Sequence, residues 1–255
     1  MKTLLIDEIL DIPTIGASCP IKVVAEDGEI YLLKTKYDGI WQDKISYGIY
    51  CETLAYKLLK LNNFLDIPDI VYLKIDDDFI SDAKYRFDKS EDEREQVALQ
   101  NIINSKGLNL GVKWIEDAEK YIYPTDKFIQ TTINYDGYLL NSDREELNPN
   151  IIYSKIENKN YLIDFGNSFE CLMIFDDDLR KTDYYNKYGF DDNYLFKDKI
   201  QVLSMLDLDI SQEDIENIIA SLPQEWNLHK FKSEINDIVI NRINNKEIFN
   251  NETVI

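Results

Sequence analysis

The stretch from Tyr138 to Ser168, YLLNSDREELNPNIIYSKIENKNYLIDFGNS, constrains this chain more than any other. Asp143 is followed five positions later by Asn148. An apolar, strand-like run, Tyr161-Leu162-Ile163, then delivers a second aspartate, Asp164, into Asp-Phe-Gly. The segment between Asn150 and Ile163 reads as a short β-hairpin that carries a polar loop at each end. Phosphoryl transfer needs this layout: one carboxylate meets the attacking hydroxyl, while an amide oxygen and a second carboxylate hold metal ions on the nucleotide phosphates.

Composition narrows the setting. At 255 residues and 44% hydrophobic content the chain can bury a substantial core, as one large domain or two lobes. Its formal charge of −20 repels phosphate backbones and argues against direct nucleic-acid binding. A nucleotide would need a local basic island, which bound Mg²⁺ helps to supply. The three cysteines, Cys19, Cys51 and Cys171, are odd in number and widely spaced, which fits a reducing cytosol rather than a disulfide framework or zinc site. The single histidine, His229, argues against a histidine metal site or a Ser-His pair. No apolar run approaches the roughly 20 residues of a membrane span. The opening MKTLLIDEILDIP acquires acids too early for a signal peptide, so a cytoplasmic location is expected.

Read in order, residues 1–37 predict strands. Val23-Val24-Ala25 and Glu29–Thr35 flank Asp27-Gly28, a hairpin turn signal. Ahead of them, Ile15-Gly16-Ala17-Ser18-Cys19-Pro20 is a small-residue loop of the kind that lets backbone amides approach an anion. Lys34 lies among apolar neighbours, where an alternating strand either points it into a cleft or leaves it at a solvent edge. Residues 46–62 predict a helix with Tyr50, Leu54, Leu58 and Leu61 as its apolar stripe. Glu52 on that helix either reaches Lys34 or faces solvent. Ile70–Ile75 predicts another strand. The charge-rich 76–96 reads as a solvated loop and helix start, without EF-hand spacing. Val97–Ile103 reads as helical, and Gly107–Trp114 as a connector between lobes. Thr125–Leu140 predicts a helix leading into Asp143. Acidic, tyrosine-rich turns follow at 176–194, then helices near 195–206, 212–221 and 228–246, with Ser211 and Asp214 as a capping signal.

The order of these parts is more specific than any one of them: small-residue loop, strand lysine, helix glutamate, Asp-x4-Asn, then Ile-Asp-Phe-Gly. The stretch NSDREELNPNIIY…YLIDFGNSF resembles the bacterial HipA-like kinases, in which Asp-Arg-x3-Asn-Pro-Asn precedes an Ile-Asp-x-Gly segment. The resemblance extends through nearly the whole chain. Ile15–Pro20 is similar to the family's Gly-Ser-x-Arg-Pro entry, with Cys19 where arginine is common. Tyr31–Lys34 is similar to its strand lysine, and Glu52-x2-Ala55-Tyr56 to its first long helix. Gly107-Leu108-Asn109-Leu110-Gly111 resembles an internal Gly-Leu-Asn-Leu-Gly signature, and Leu222-Pro223-Gln224-Glu225-Trp226 a late Pro-x-x-Trp element. Phe165 stands where the family's Ile-Asp-His-Gly has histidine. The Asp-Arg pair and Asp-Phe-Gly also resemble phosphatidylinositol kinases.

The resemblance implies an α+β, bilobal protein-kinase-like fold. A β-rich lobe over 1–115 would cover the nucleotide, and a mostly helical lobe over 116–255 would carry catalysis and metal. It implies ATP and Mg²⁺ as cofactors. Lys34 would contact the α- and β-phosphates and Glu52 would orient Lys34. Backbone amides of Gly16, Ala17 and Ser18 would cover the phosphates. Asp143 would accept or align the proton of the attacking hydroxyl, and Asn148 and Asp164 would bind Mg²⁺. Asn150 would hold the loop or touch a second metal. The expected reaction is γ-phosphate transfer to a hydroxyl, Ser or Thr of a protein, as in the toxin-type members, with a regulatory partner in prospect and no membrane. The alternatives are a nucleotide-binding pseudokinase that acts as a regulatory module, and a small-molecule kinase whose acidic cleft favours cationic substrates.

Overall fold

A computed structural model describes residues 1–14, 19–37, 47–62, 67–121, 124–141, 143–168, 193–200 and 210–226. The elements are β1 (Thr3–Asp11), β2 (Ile21–Ala25), β3 (Ile30–Lys34), α1 (Tyr47–Asn62), β4 (Ile70–Ile75), α2 (Asp77–Phe87), α3 (Glu93–Asn104) and β5 (Gly107–Lys113). They continue with β6 (Ala118–Lys120), α4 (Asp126–Leu139), β7 (Ile151–Ser154), β8 (Lys159–Leu162), α5 (Lys197–Ile200) and α6 (Gln212–Ala220). This is a mixed α+β chain. It divides into two compact units: Met1–Thr53, Pro68–Glu116 and Pro223–Asn227 form the first, and Leu54–Ile67, Asp117–Leu222 and Leu228–Ile255 the second.

The first unit is built on a closed five-stranded barrel in the order β1-β2-β3-β5-β4. Only β1 and β4 pair in parallel; the other neighbours are antiparallel. Closure follows from strict alternation. Ile21, Val23 and Ala25 of β2 and Tyr31 and Leu33 of β3 point inward, while their neighbours remain half-buried. The turn between β2 and β3 needs the expected glycine, because Gly28 has φ +78°. Leu4, Val23, Leu33, Leu73, Phe79 and Ile102 belong to one apolar core that includes α2 and α3.

Two expectations are corrected here. The 76–96 region is not a solvated loop but α2 and the start of α3. Asp76 caps α2 by accepting from Phe79 N at 2.9 Å, and Asp92 caps α3 by accepting from Arg94 N at 2.8 Å. Phe79, Ala83 and Phe87, each four residues apart, make the buried stripe of α2, and the acids face away from it. Gly107–Trp114 is not a connector either. Its first seven residues form β5, which pairs with both β3 and β4.

The Gly-Leu-Asn-Leu-Gly sequence of β5 has a local physical reason. Gly107 has φ +108°. Asn109 is fully buried; its Oδ1 accepts from Lys36 N at 2.8 Å, and its Nδ2 donates to Ser105 O at 2.8 Å and Gly107 O at 2.9 Å. Gly111 lies flat against β4, where a Cβ would meet Leu73 Cγ at 2.7 Å and Val71 Cγ2 at 2.9 Å. Gly111→Ala should therefore overpack the barrel and cost about 1–3 kcal/mol, read as a lower urea midpoint at unchanged slope.

A short 3₁₀ turn, Gln224–Trp226, also belongs to the first unit. Trp226 is buried, donates Nε1–H to Leu108 O at 2.8 Å and meets Tyr72 edge-to-face at 5.9 Å. Glu225 Oε1 accepts from Lys36 Nζ at 3.2 Å.

Helix α1 is buried around most of its circumference rather than along one stripe. Ile49 to Tyr56 are all buried, as are Leu58 and Leu59, whereas the expected stripe residue Leu61 is 45% exposed. Its Tyr47–Thr53 half belongs to the first unit and its Leu54–Asn62 half to the second.

In the second unit, α4 is capped by Thr125, whose Oγ1 accepts from Phe128 N at 3.2 Å, and is buried from Thr131 to Leu139. Strands β6, β7 and β8 form an antiparallel sheet that contains the expected hairpin. The Asp117 carboxylate accepts from Ser154 Oγ at 3.0 Å and from Ile156 N, which pins the hairpin turn. Helix α6 carries the expected capping box between Ser211 and Asp214. The helix expected near 195–206 is seen over Lys197–Ile200, and the one expected at 228–246 lies outside the described residues. Among the described residues, no helix is long and apolar enough to cross a membrane.

Candidate active site

Within the first unit, Lys34 and Glu52 form an ion pair. β3 ends at Lys34, and α1 presents Glu52 to it. Lys34 Nζ donates to both carboxylate oxygens of Glu52, at 2.8 and 2.7 Å. The side chains are 15% and 2% exposed, so the glutamate is buried and the lysine retains a small opening to solvent. A buried carboxylate needs such a partner, which resolves the alternatives open for both residues. The expected phosphate loop, Gly16, Ala17 and Ser18, lies outside the described residues. Cys19, at its end, is buried with φ +47°.

The second unit supplies the carboxylates. Asp143 follows α4, and Asp164 follows β8. Ile163 N donates to Asn150 O at 3.0 Å, continuing the β7–β8 ladder beyond Ile151 and Leu162. Asn150 and Asp164 therefore stand at the same open end of the hairpin. Both have left-handed backbones, with φ +49° and +56°. Asn and Asp tolerate that region better than other side chains, and strained positions of this kind concentrate at functional sites.

Asn150 is buried, and its Nδ2 donates to Asp143 O at 2.6 Å and to Asp143 Oδ2 at 3.3 Å. Asn148 differs. Its side chain is exposed, and its backbone carbonyl accepts from Glu145 N at 3.0 Å. Burial, and then the charge of nearby Asp164, push the Asp143 carboxyl above its ordinary value; hydrogen bonds from Asn150 and Asn167 and the charge of Arg144 pull the other way. The structure thus brings Asp143 and Asp164 close enough to repel each other.

That repulsion tests the fit of a metal. Two carboxylates and an amide oxygen are hard oxygen donors, and a divalent cation between them would offset their charge. Among the described residues no group of three or more His, Cys, Asp or Glu is placed to hold a metal ion. Mg²⁺ suits such a sparse set, because it takes one or two carboxylates and completes its shell with water and phosphate oxygens.

Beneath these loops lies a network that the sequence reading missed in part. Asp136 and Arg144 are both fully buried. Arg144 Nε donates to Asp136 Oδ1 at 3.0 Å and Oδ2 at 2.7 Å. Asn141 Nδ2 donates to Oδ1 at 2.9 Å, and the Tyr194 hydroxyl to Oδ2 at 2.8 Å. Burial pushes the Asp136 carboxyl up, against the pull of Arg144 and these hydrogen bonds. The signal was present in Tyr135-Asp136-Gly137-Tyr138: an acid among aromatics on an apolar helix needs an internal partner. Phe165 is fully buried, meets Tyr56 edge-to-face at 5.3 Å and lies 4.7 Å from the Arg144 guanidinium carbon.

The barrel unit thus carries a buried lysine–glutamate pair, and the second unit carries Asp143 and, at the end of its hairpin, Asp164. The sequence model of the HipA-like kinase family matches residues 6–251, and the chain belongs to that family. Among solved structures it is similar to the proinflammatory kinase CtkA of Helicobacter pylori, with a TM-score of 0.51 at 12% identity over 92% of this chain and 95% of that one. At that identity the likeness is one of fold. No curated protein sequence matches the chain.

Proposed function

We propose that this kinase uses ATP and Mg²⁺ to phosphorylate a Ser or Thr hydroxyl on a protein. The observation that carries the reading is Asp143, hydrogen-bonded to Asn150 and within reach of the charge of Asp164, the two residues at the open end of the β7–β8 hairpin. In this reading Asp143 aligns the acceptor hydroxyl and receives its proton. Asn148 and Asp164 would hold the metal, and Asn150, whose Nδ2 donates to Asp143, would hold the loop or touch a second metal. Lys34, held in place by Glu52, would contact the α- and β-phosphates, and the family resemblance gives Gly16, Ala17 and Ser18 the role of covering them. Magnesium, when bound, neutralises charge on the phosphates. A protein acceptor fits the toxin-type members that the sequence resembles.

The test is transfer of label from γ-labelled ATP to the protein itself or to bacterial lysate proteins, followed across pH. Transfer should require Mg²⁺ and label serine or threonine. The rate should fall on the acid side, because Asp143 must be ionised to receive a proton. A nucleotide-dependent rise in melting temperature without transfer would indicate the regulatory-module alternative. Absence of both transfer and stabilisation by any nucleotide would remove the reading.

A further inference from the structure

We infer that Arg144 is a positioning residue that sets the backbone of Asn150 against that of Asp164, a residue proposed to hold the metal, with Asp136 and Tyr194 fixing its guanidinium. The inference rests on the kinase reading and goes beyond it. Arg144 Nη1 donates to the carbonyl of Asn150 at 2.8 Å and to that of Ile163, the residue before Asp164, at 3.3 Å. One cation therefore spans the two stems from which Asn150 and Asp164 project. Both of those residues have left-handed backbones, which neighbouring contacts must hold. A planar guanidinium suits this task because it offers several donors in a fixed fork.

The guanidinium is in turn fixed from below. Its Nε rests on both oxygens of Asp136, and Tyr194 closes the far side of that carboxylate. Leu195 N donates to Arg144 O at 2.8 Å, and Tyr194 pairs with Glu145 in an isolated bridge, so the stretch from Tyr194 also braces the Arg144 backbone. Stability alone does not explain such an arrangement. A buried ion pair stabilises a fold little better than apolar residues of similar volume, whereas it can specify geometry. The geometry specified here is the separation of Asn150 from Asp164.

The experiment uses the full chain and follows the Mn²⁺ concentration at which a non-hydrolysable ATP analogue raises the melting temperature. Tyr194→Phe removes one hydroxyl and keeps the ring. It should melt cooperatively and require about tenfold more Mn²⁺, and Arg144→Lys should require up to about a hundredfold more. A purely structural role would lower the melting temperature without metal and leave the Mn²⁺ midpoint where it is in the wild type. An unchanged midpoint in Tyr194→Phe therefore overturns the inference, and that variant decides the matter if Arg144→Lys does not fold. If the wild type shows no Mn²⁺-dependent stabilisation by the analogue, the kinase reading fails first and this inference fails with it. If the wild type responds and the variants match it, only the inference fails.

Discussion

Asp164→Asn should lower phosphoryl transfer by about 10²–10³-fold while leaving the protein folded. Asparagine tolerates the left-handed backbone found at this position, φ +56°, so strain is not the cause of the loss. What disappears is the negative charge that, in the proposed reading, would hold the metal. The same substitution removes the second-largest contribution to the raised Asp143 carboxyl, after burial. The consequence for stability has a definite sign. Because its folded value lies above 3.8, the folded state retains a proton at Asp143 through a window where the unfolded chain has lost it. Stability therefore falls as pH rises through that window. In Asp164→Asn the fall should be shallower, so the variant should melt at or above the wild-type temperature near neutral pH without Mg²⁺. Full activity in Asp164→Asn would exclude a metal role for this residue. A marked loss of stability would show that repulsion is not what its charge contributes.

Trp226→Ala should cost about 3–5 kcal/mol, the largest stability effect expected of a single side chain described here. Trp226 is 1% exposed and has three kinds of contact within its unit: burial, the hydrogen bond to Leu108 O and the edge-to-face meeting with Tyr72. Truncation leaves a cavity beside β4 and β5 and removes the indole donor from the Leu108 carbonyl. Trp226→Phe separates the terms, since it restores most of the volume and should cost only about 1–3 kcal/mol for the missing donor. Chemical denaturation of the two variants reads the difference. A cost below about 1 kcal/mol for the alanine variant would mean that the turn is not integral to the barrel.

How far the sequence could be read depended on whether a signal was local. The β7–β8 hairpin was legible because alternation and turn residues lie within a few positions of each other. The strand end at Lys34 and the helix position of Glu52 were legible from local pattern; their 2.7–2.8 Å contact was only one of two alternatives there and came from the family resemblance, since it depends on how β3 and α1 pack. Helix α2 was obscured by its charge. Asp76, Asp77 and Asp78 suggested a loop, yet the first is the cap and the others sit in the first turn, where a helix favours acids. Strand β5 was obscured by its glycines, which read as flexibility but mark a left-handed residue and a close approach to Leu73. Of the two asparagines after Asp143, the spacing favours Asn148. The fold turns that side chain to solvent and brings Asn150 to Asp143. Asp136 and Tyr194, 58 positions apart, meet only in three dimensions.

The return of Pro223–Asn227 to the barrel unit also bears on how the chain is made. Synthesis proceeds from the N-terminus, and a domain generally folds as a unit once its residues have emerged. Here the ribosome must travel far past β5 before it delivers the indole that seals Tyr72 and the Leu108 carbonyl. Throughout that interval the nascent barrel lacks this seal, and a fragment ending at Glu116 would carry the same open flank permanently.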